Sequence, residues 1–385
     1  MRSLAVFHLG GVTGPGRSLP QAMRWLAEQG SVEFIVPERG ATEEEYRALG
    51  PVSVLPYSAL TYARRAREGA RLARRLGRDV RMFRRELRRR RPDLIVAVTT
   101  VLPAVVLAAR LERIPVVVYA AELYEQRWKS APLLRLWGAL LAGGTAALAD
   151  GIVCCSQLVA SQFPSWSRER LTVAYPPVGP EYDGGRRPAT RALYGVEEAD
   201  PCIAVIGSLS RGRGQDVALR ALARLRERLP DARLLIVGAP HPRPVDLAYA
   251  DELRALTAEL GLDRAVVFTQ PTDAMANVYA AADVVVNPAR FAEPFGRVAP
   301  EALMAGRPVV ASRVGAIPEV IRDGVDGLLV EPDDPEALAV AVARLADDPG
   351  HAAQLVDAGR RRVIERFGYE QDLAAWRAVL DQAGQ

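Results

Sequence analysis

Two glutamates carry the strongest chemical signal in this chain. Glu293 and Glu301 stand eight positions apart around Pro294-Phe295-Gly296. The apolar run Ala282–Val286 precedes them, and Pro300, a residue suited to the first position of a helix, follows. The pattern predicts strand, loop and helix, with Glu293 in the loop above the strand end and Glu301 in the first helical turn. A helix start gathers unpaired N–H groups and the positive end of the dipole, so it can seat an anion. A carboxylate accepts from two hydroxyls at once and therefore matches a vicinal diol. Gly296 would let a ligand approach the backbone closely. Taken alone, two such glutamates read more readily as a helix cap and a surface side chain than as a ligand site.

A second cluster lies in the strand–turn–helix pattern Ala204–Leu219, whose turn carries Ser208, Arg211 and Arg213. Guanidinium groups there could contact a phosphate, or form an Arg-rich solvated loop. Phe268-Thr269-Gln270 closes another apolar run. In the first half, His8 ends the first strand-like run, Gly11 belongs to the glycine-rich stretch 10–17, and Glu122 follows the run Pro115–Ala120. The glycine stretch lacks a full GxGxxG, because Leu19 stands where the third glycine would be.

These residues sit at the ends of regularly alternating elements. Strand-like runs occur at Leu4–Leu9, Val32–Val36, Asp93–Val98, Pro115–Ala120 and Gly151–Cys155, with helical patterns at Ser18–Glu28 and Ala104–Leu111 and a capping serine at Ser156. A Pro- and Gly-rich stretch, Tyr175–Pro188, reads as a linker. Alternation then resumes. Strands are expected at Ile203–Ile206, Ala232–Val237, Ala265–Thr269, Val284–Asn287, Val309–Ala311 and Gly327–Val330. Helices are expected at Asp216–Glu227, Leu253–Leu260, Ala274–Ala281, from Pro300, and at Pro335–Ala346 and Gln371–Ala383. Such alternation implies α/β domains with parallel sheets, which bind ligands at the carboxyl ends of their strands.

At 385 residues the chain suits two domains. We expect one over residues 1–185, a second over 190–369, and a last helix, 370–385, that packs back on the first. The charge balance is +4, too mild to imply a nucleic-acid partner. Lys129 is the sole lysine beside abundant arginine, as codon bias in a GC-rich genome produces. Cys154, Cys155 and Cys202 form neither a disulfide framework nor a metal spacing, so a cytoplasmic setting is expected. The N-terminus reads as a strand, not a signal peptide. The uncharged run Leu136–Ala149, 14 residues, is too short for a membrane span.

The stretch Asn287–Glu319 closely resembles the E-x7-E signature of the retaining family 4 glycosyltransferases, which have the GT-B fold of two doubly wound Rossmann-like domains facing across a cleft. The downstream Gly306-Arg307-Pro308 and Gly315-Ala316-Ile317-Pro318-Glu319 extend the match; in the latter Ala316 replaces a glycine of the family pattern, and the resemblance gives this turn a mainly structural role, presenting loop backbone beneath the site. The resemblance implies that Glu293 accepts hydrogen bonds from the donor sugar, that Glu301 holds ribose hydroxyls, and that the amides of Phe295, Gly296 and Arg297 face sugar and phosphates. It places Arg213 where the family carries a diphosphate-gripping lysine and Ser208 where an arginine is usual, with Arg211 as the substitute cation. It puts the Gln270 backbone at the nucleobase and that of Gly11 at phosphate or acceptor. Ala121 stands where relatives often carry a histidine, which leaves Glu122, and more remotely His8, on the acceptor side.

The implied reaction moves a sugar from a nucleoside-diphosphate donor to a hydroxyl of a glycolipid, a glycan or a small metabolite, with retention. No Asp-x-Asp occurs, so a metal-bridged diphosphate is not expected, and with the nucleotide sugar as substrate no cofactor is expected either. The alternatives are a nucleotide-sugar epimerase or hydrolase of the same fold, an NAD(P)-dependent oxidoreductase, and a non-catalytic binding module. Residues 63–91 hold 14 arginines around one apolar stripe of Leu72, Leu76, Val80, Phe83 and Leu87. That segment reads as a solvated helix on the sheet, as a peripheral contact with anionic membrane, or as a lure for an anionic acceptor.

Overall fold

The computed structural model describes residues 1–9, 19–59, 66–124, 132–182, 187–272 and 274–383. The chain divides into two compact units, Met1–Pro177 with Tyr369–Gln385, and Val178–Gly368. The first contains seven parallel strands: β1 (Arg2–Phe7), β2 (Ser31–Val36), β3 (Val52–Val54), β4 (Leu94–Val98), β5 (Val116–Ala120), β6 (Gly151–Cys154) and β7 (Leu171–Val173). Their order is β3-β2-β1-β4-β5-β6-β7. Every residue of β4 and β5 is buried, as expected of a parallel sheet covered on both faces.

The second unit contains β8 (Cys202–Ile206), β9 (Arg233–Val237), β10 (Val266–Thr269), β11 (Val284–Asn287), β12 (Val309–Ser312) and β13 (Leu328–Val330). They are again all parallel, in the order β10-β9-β8-β11-β12-β13. Winding therefore reverses between β1 and β4 in one sheet and between β8 and β11 in the other. Adjacent crossovers leave in opposite directions at these points, which opens a crevice at the strands' carboxyl ends.

The last helix, Tyr369–Ala383, closes on the first unit. Trp376 is fully buried with its ring 5.6 Å from that of Tyr119 on β5, and Val379 lies against Gly151 of β6. Ser156 caps the helix Gln157–Ser161 by accepting from the Val159 N–H.

Several boundaries differ from the sequence reading. β1 starts and ends two residues early. The helix Leu253–Leu260 begins instead at Pro244. β3 and β7, three residues each, carry too short a pattern to be seen, and the helices Ala41–Arg47, Pro132–Leu148 and Pro349–Arg366 were not expected. The glycine-rich turn with Gly11 lies outside the described residues.

The arginine-rich segment is a helix, Ala66–Arg90. Phe83 and Leu87 are fully buried, and several of its arginines meet carboxylates. Arg84 and Arg88 share Glu112 at 2.6 and 2.8 Å, and Arg89 and Arg90 share Glu86 at 2.6 and 3.0 Å. Among the described residues, no helix is long and apolar enough to cross a membrane.

Candidate active site

The crevice of the second unit is built from the turn after β8 and the loop after β11. Gly214 holds φ +69 where a Cβ would lie 2.0 Å from the Pro288 carbonyl oxygen, so only glycine lets the turn and the loop touch. Arg290 fastens them. Its N–H donates to the Gly212 carbonyl at 2.9 Å, and its guanidinium forks onto both oxygens of Asp216 at 2.6 Å each. Tyr249 donates to the same carboxylate at 2.6 Å. Burial alone would raise the Asp216 carboxyl, but the bonds from Arg290 and Tyr249 together with the Arg290 charge hold it below its ordinary range.

Across this fastened junction Arg213 donates from Nη1 to Glu293 Oε1 at 2.6 Å. The two side chains are 36% and 11% exposed, so the pair is shielded from solvent yet reachable. The Glu293 charge raises the Arg213 guanidinium further above its already high range, and the group is permanently cationic. One bond uses one of five guanidinium donors and one of about four carboxylate lone pairs, so both groups keep capacity for a ligand.

Glu293 is fixed from beneath by the turn Gly315–Ala316. The Ala316 N–H donates to the Glu293 carbonyl at 2.9 Å. A Cβ at Gly315, where φ is +61, would fall 2.3 Å from the Glu293 nitrogen. Gly296, at φ +86, lies so that a Cβ there would stand 3.6 Å from Glu293 Oε2 and 4.0 Å from Asn287 Nδ2. That Nδ2 is buried and has no hydrogen-bond partner among the described residues. Phe295 turns inward onto Phe367, with ring centroids 5.6 Å apart, which leaves the loop backbone to face outward.

The helix after the loop spans Val298–Met304. Pro300 is its third residue, not its first as expected, because Arg297 already adopts helical angles at the cap. Glu301 does lie in the first turn. Its carboxylate accepts from Arg297 Nε at 2.9 Å and from the Tyr279 hydroxyl at 2.7 Å. The Tyr182 hydroxyl accepts from the same arginine at 3.4 Å, and its ring stands edge-on to Tyr279 at 5.9 Å. Burial, then the Glu301 charge, pushes Tyr279 well above the usual phenol range, so it stays a donor. Tyr182, Tyr279, the Arg297 side chain, Arg290 and Asn287 are the site groups that sequence reasoning missed; Asn287, Arg290 and Arg297 lay inside the motif stretch, Tyr182 and Tyr279 outside it.

The other candidates spread out. Ser208 follows β8, and its carbonyl accepts from Gln215 Nε2 at 3.0 Å. Arg211, cast as the substitute cation, turns instead to Glu252, at 2.7 Å from Oε1, and covers the Tyr249 ring at 5.3 Å. Gln270 is exposed beyond the edge strand β10.

In the first unit, His8, Thr99 and Glu122 follow β1, β4 and β5. Burial lowers His8 to about 4, against a bond with Val98, so the imidazole is neutral. Thr99 adopts φ +96, a strained position at a strand end. Glu122 turns back to accept from the Ala121 N–H at 3.3 Å and the Thr100 hydroxyl at 3.3 Å. Burial nevertheless raises its carboxyl above the ordinary value. Tyr124 donates to the same Thr100 hydroxyl.

Both halves of the chain resemble known proteins. Residues 12–182 match the family model described as Glycosyltransferase Family 4, and residues 200–348 match Glycosyl transferases group 1. The chain belongs to the group 1, family 4 glycosyltransferases. A D-inositol 3-phosphate glycosyltransferase of Mycobacterium sp. (strain KMS) is 38% identical over 192 residues, 48% of this chain and 42% of the relative. The chain thus aligns with less than half the length of that glycosyltransferase. Anabaena HepE, solved with UDP, covers 99% of this chain and 100% of its own at TM-score 0.82 and 21% identity. Sucrose-phosphate synthase of Thermosynechococcus elongatus covers 99% of each chain at TM-score 0.78 and 22% identity. These likenesses give the glycosyltransferase its fold, GT-B.

Proposed function

We propose that this protein moves a sugar from a nucleoside-diphosphate donor to a hydroxyl acceptor, with the anomeric configuration retained and no metal. The observation that carries the reading is the Arg213–Glu293 pair at the winding reversal between β8 and β11. It joins a permanent cation and a hydroxyl acceptor in one crevice, which is what an anionic leaving group bearing a sugar requires.

Glu293 Oε2 accepts from a sugar hydroxyl and Arg213 directs its remaining donors to the diphosphate. The bond from the anomeric carbon to the phosphate oxygen breaks. The acceptor oxygen bonds to that carbon on the same face, and its proton passes to the departing phosphate oxygen. Charge on that phosphate is met by Arg213 and by amides of the 295–297 backbone, which supply preorganised donors at no reorganisation cost. The fixed ion pair Arg297–Glu301 leaves Glu301 lone pairs for ribose hydroxyls. Glu122, uncharged over a widened pH range, orients the acceptor.

HepE is described in complex with UDP and UDP-glucose, so UDP-sugars are the first donors to offer. The named acceptor chemistry of the relatives makes a phosphorylated cyclitol the first small-molecule acceptor, ahead of glycolipid and glycan pools. The test is product formation with a UDP-, GDP-, ADP- and TDP-sugar panel, with and without acceptor and with EDTA, followed by anomeric NMR. An inverted product, loss of turnover in EDTA, or equal turnover without acceptor would each overturn the corresponding part. We also assign peripheral contact with anionic lipid on the cytoplasmic face to the outward arginines of the helix Ala66–Arg90, such as Arg74, Arg75 and Arg85.

A further inference from the structure

At the amino-terminal edge of the second unit's sheet, the opposite end of the strands from Arg213 and Glu293, lies a cavity of about 510 Å³. Leu225, Leu229, Val342, Leu345 and Val356 give it apolar walls, and two guanidinium groups, Arg191 and Arg307, border it. The two differ in their partners. Arg191, 1% exposed, donates from Nη1 to the carbonyls of Glu197, Glu198 and Asp200 at 2.8–2.9 Å and from Nη2 to Asp283 at 2.5 Å. Asp200 is itself engaged by Arg233 at 2.9 Å.

Arg307 has no carboxylate partner among the described residues. Its Nη1 reaches the Ala282 carbonyl only at 3.4 Å, and its buried Nε has no acceptor. Burial, then the neighbouring Arg191 charge, lowers its guanidinium from the ordinary value. The backbone holds it there. Gly306, at φ +73, ends the helix Val298–Met304, and the Arg307 N–H returns to the Ala302 carbonyl at 2.8 Å, the hydrogen-bond pattern of a Schellman turn. A partly buried cation held beside a second cation, without a counter-ion, is costly unless an anion completes it.

We propose that this cavity is a binding site for an aliphatic monocarboxylate, with the carboxylate forked on Arg307 and the chain along the leucine and valine wall. A guanidinium matches a carboxylate through two parallel N–H···O bonds, and the volume lies in the range of small-molecule sites. Glu198 and Asp357 also border the cavity. Their charges repel a polyanion, which separates this site from one that takes nucleoside diphosphates.

The test is isothermal titration of the full chain with sodium octanoate below its micelle-forming concentration, with octan-1-ol as the uncharged comparison. Saturable one-to-one binding of octanoate is expected. Arg307→Met, of similar length and apolar, should weaken octanoate at least tenfold and leave octan-1-ol within twofold. Ala353→Phe, on the exposed rim, should weaken both ligands and serves if Arg307→Met does not fold. Glu293→Gln should leave octanoate binding unchanged, whatever happens to the donor. No saturation, equal octanoate affinity in Arg307→Met and the parent, or loss of octanoate binding in Glu293→Gln would overturn the site.

Discussion

The two winding reversals are alike in topology and opposite in chemistry. Between β8 and β11 the crevice holds a charged pair, Arg213 and Glu293, braced by a second one, Arg290 and Asp216. At the carboxyl ends of β1, β4 and β5 burial pushes the groups toward neutrality: His8 is lowered to about 4 and Glu122 is raised. The sheets themselves are both parallel and apolar, so the difference comes from the loops. Charges survive in the second unit because each has a partner within hydrogen-bond distance. In the first, burial shifts His8 and Glu122 toward their neutral forms, because the described residues give neither an opposite charge at contact distance. On the proposed reaction this is a useful division, since the donor brings phosphates and the acceptor brings a hydroxyl.

The comparison breaks most visibly at Glu293. Glu293→Ala should lower kcat for transfer by on the order of a hundred- to a thousandfold, the usual cost of one preorganised polar contact to the reacting group. The circular dichroism spectrum should stay unchanged. Arg213→Met should cost a similar factor, whereas Arg211→Met should stay within a few-fold, because Arg211 is turned to Glu252. Equal losses in the two arginine variants would show that the turn after β8 offers a diffuse field and not one placed cation.

Gly315→Ala sharpens the same point without touching either charge. Its Cβ would meet the Glu293 backbone at 2.3 Å in a left-handed conformation, so Glu293 must shift. We expect about 1–3 kcal/mol of lost stability from strain at such a position, read by denaturant unfolding. A drop in kcat of about tenfold or more should accompany it, since a displacement of about 1 Å can cost far more than that. Full activity would mean that the loop tolerates movement and that Glu293 is not held for the reaction.

The sheets and the two central charges were legible in the sequence for physical reasons. A strand buried on both faces reads as an apolar run, and β4, β5 and β8 are apolar throughout, while β11 is apolar up to its last residue, Asn287. Glu293 and Arg213 sit in loops whose glycines announce tight backbone approach. What stayed hidden depends on distant partners. Tyr279 meets Glu301 from 22 residues away, and Arg290 meets Asp216 from 74, so neither pairing leaves a local pattern. The helix Pro349–Arg366 was missed because it buries only Leu355, Gly359 and Val363 and so carries a thin stripe. The pairing of Arg211 with Glu252 stayed hidden because spacing gives the position of a side chain but not its direction.

At the strand ends of the first unit, His8 and Glu122 contribute to stability in opposite directions with pH. His8 has its folded value lowered from 6.5 to about 4, so the unfolded chain binds the proton more tightly. Its contribution is fully present above pH 6.5 and is lost as pH falls through 6.5 toward 4. Glu122 is raised from 4.5, so its contribution is full below pH 4.5 and is lost as pH rises through its folded value. His8→Asn should therefore flatten the acid limb of a stability–pH curve between pH 6.5 and 4, and Glu122→Gln should flatten the limb that begins at 4.5. Each effect is read as the slope of urea-unfolding free energy against pH. Parallel slopes in parent and both variants would place these groups in solvent and erase the contrast with Arg213 and Glu293.

A separate expected effect concerns charge on the helix Ala66–Arg90, which carries none of the groups named at the first unit's strand ends. Arg74, Arg75 and Arg85 lie exposed on the helix Ala66–Arg90, while Arg84 and Arg88 share Glu112. Only arginines without such a partner can be attracted to a lipid surface without first giving up an ion pair, and each is worth about 1 kcal/mol near an anionic membrane. Replacing Arg74, Arg75 and Arg85 together by Gln should weaken co-sedimentation with phosphatidylglycerol vesicles by on the order of a hundredfold at low salt, since three such increments add. Replacing Arg84 and Arg88 should weaken it less, because their charge is already answered by Glu112. Turnover of a water-soluble acceptor should change in neither variant. If the parent fails to bind these vesicles at low salt, the arginines serve solvation alone, and the contrast between the strand ends of the two units stands without any contribution from this helix.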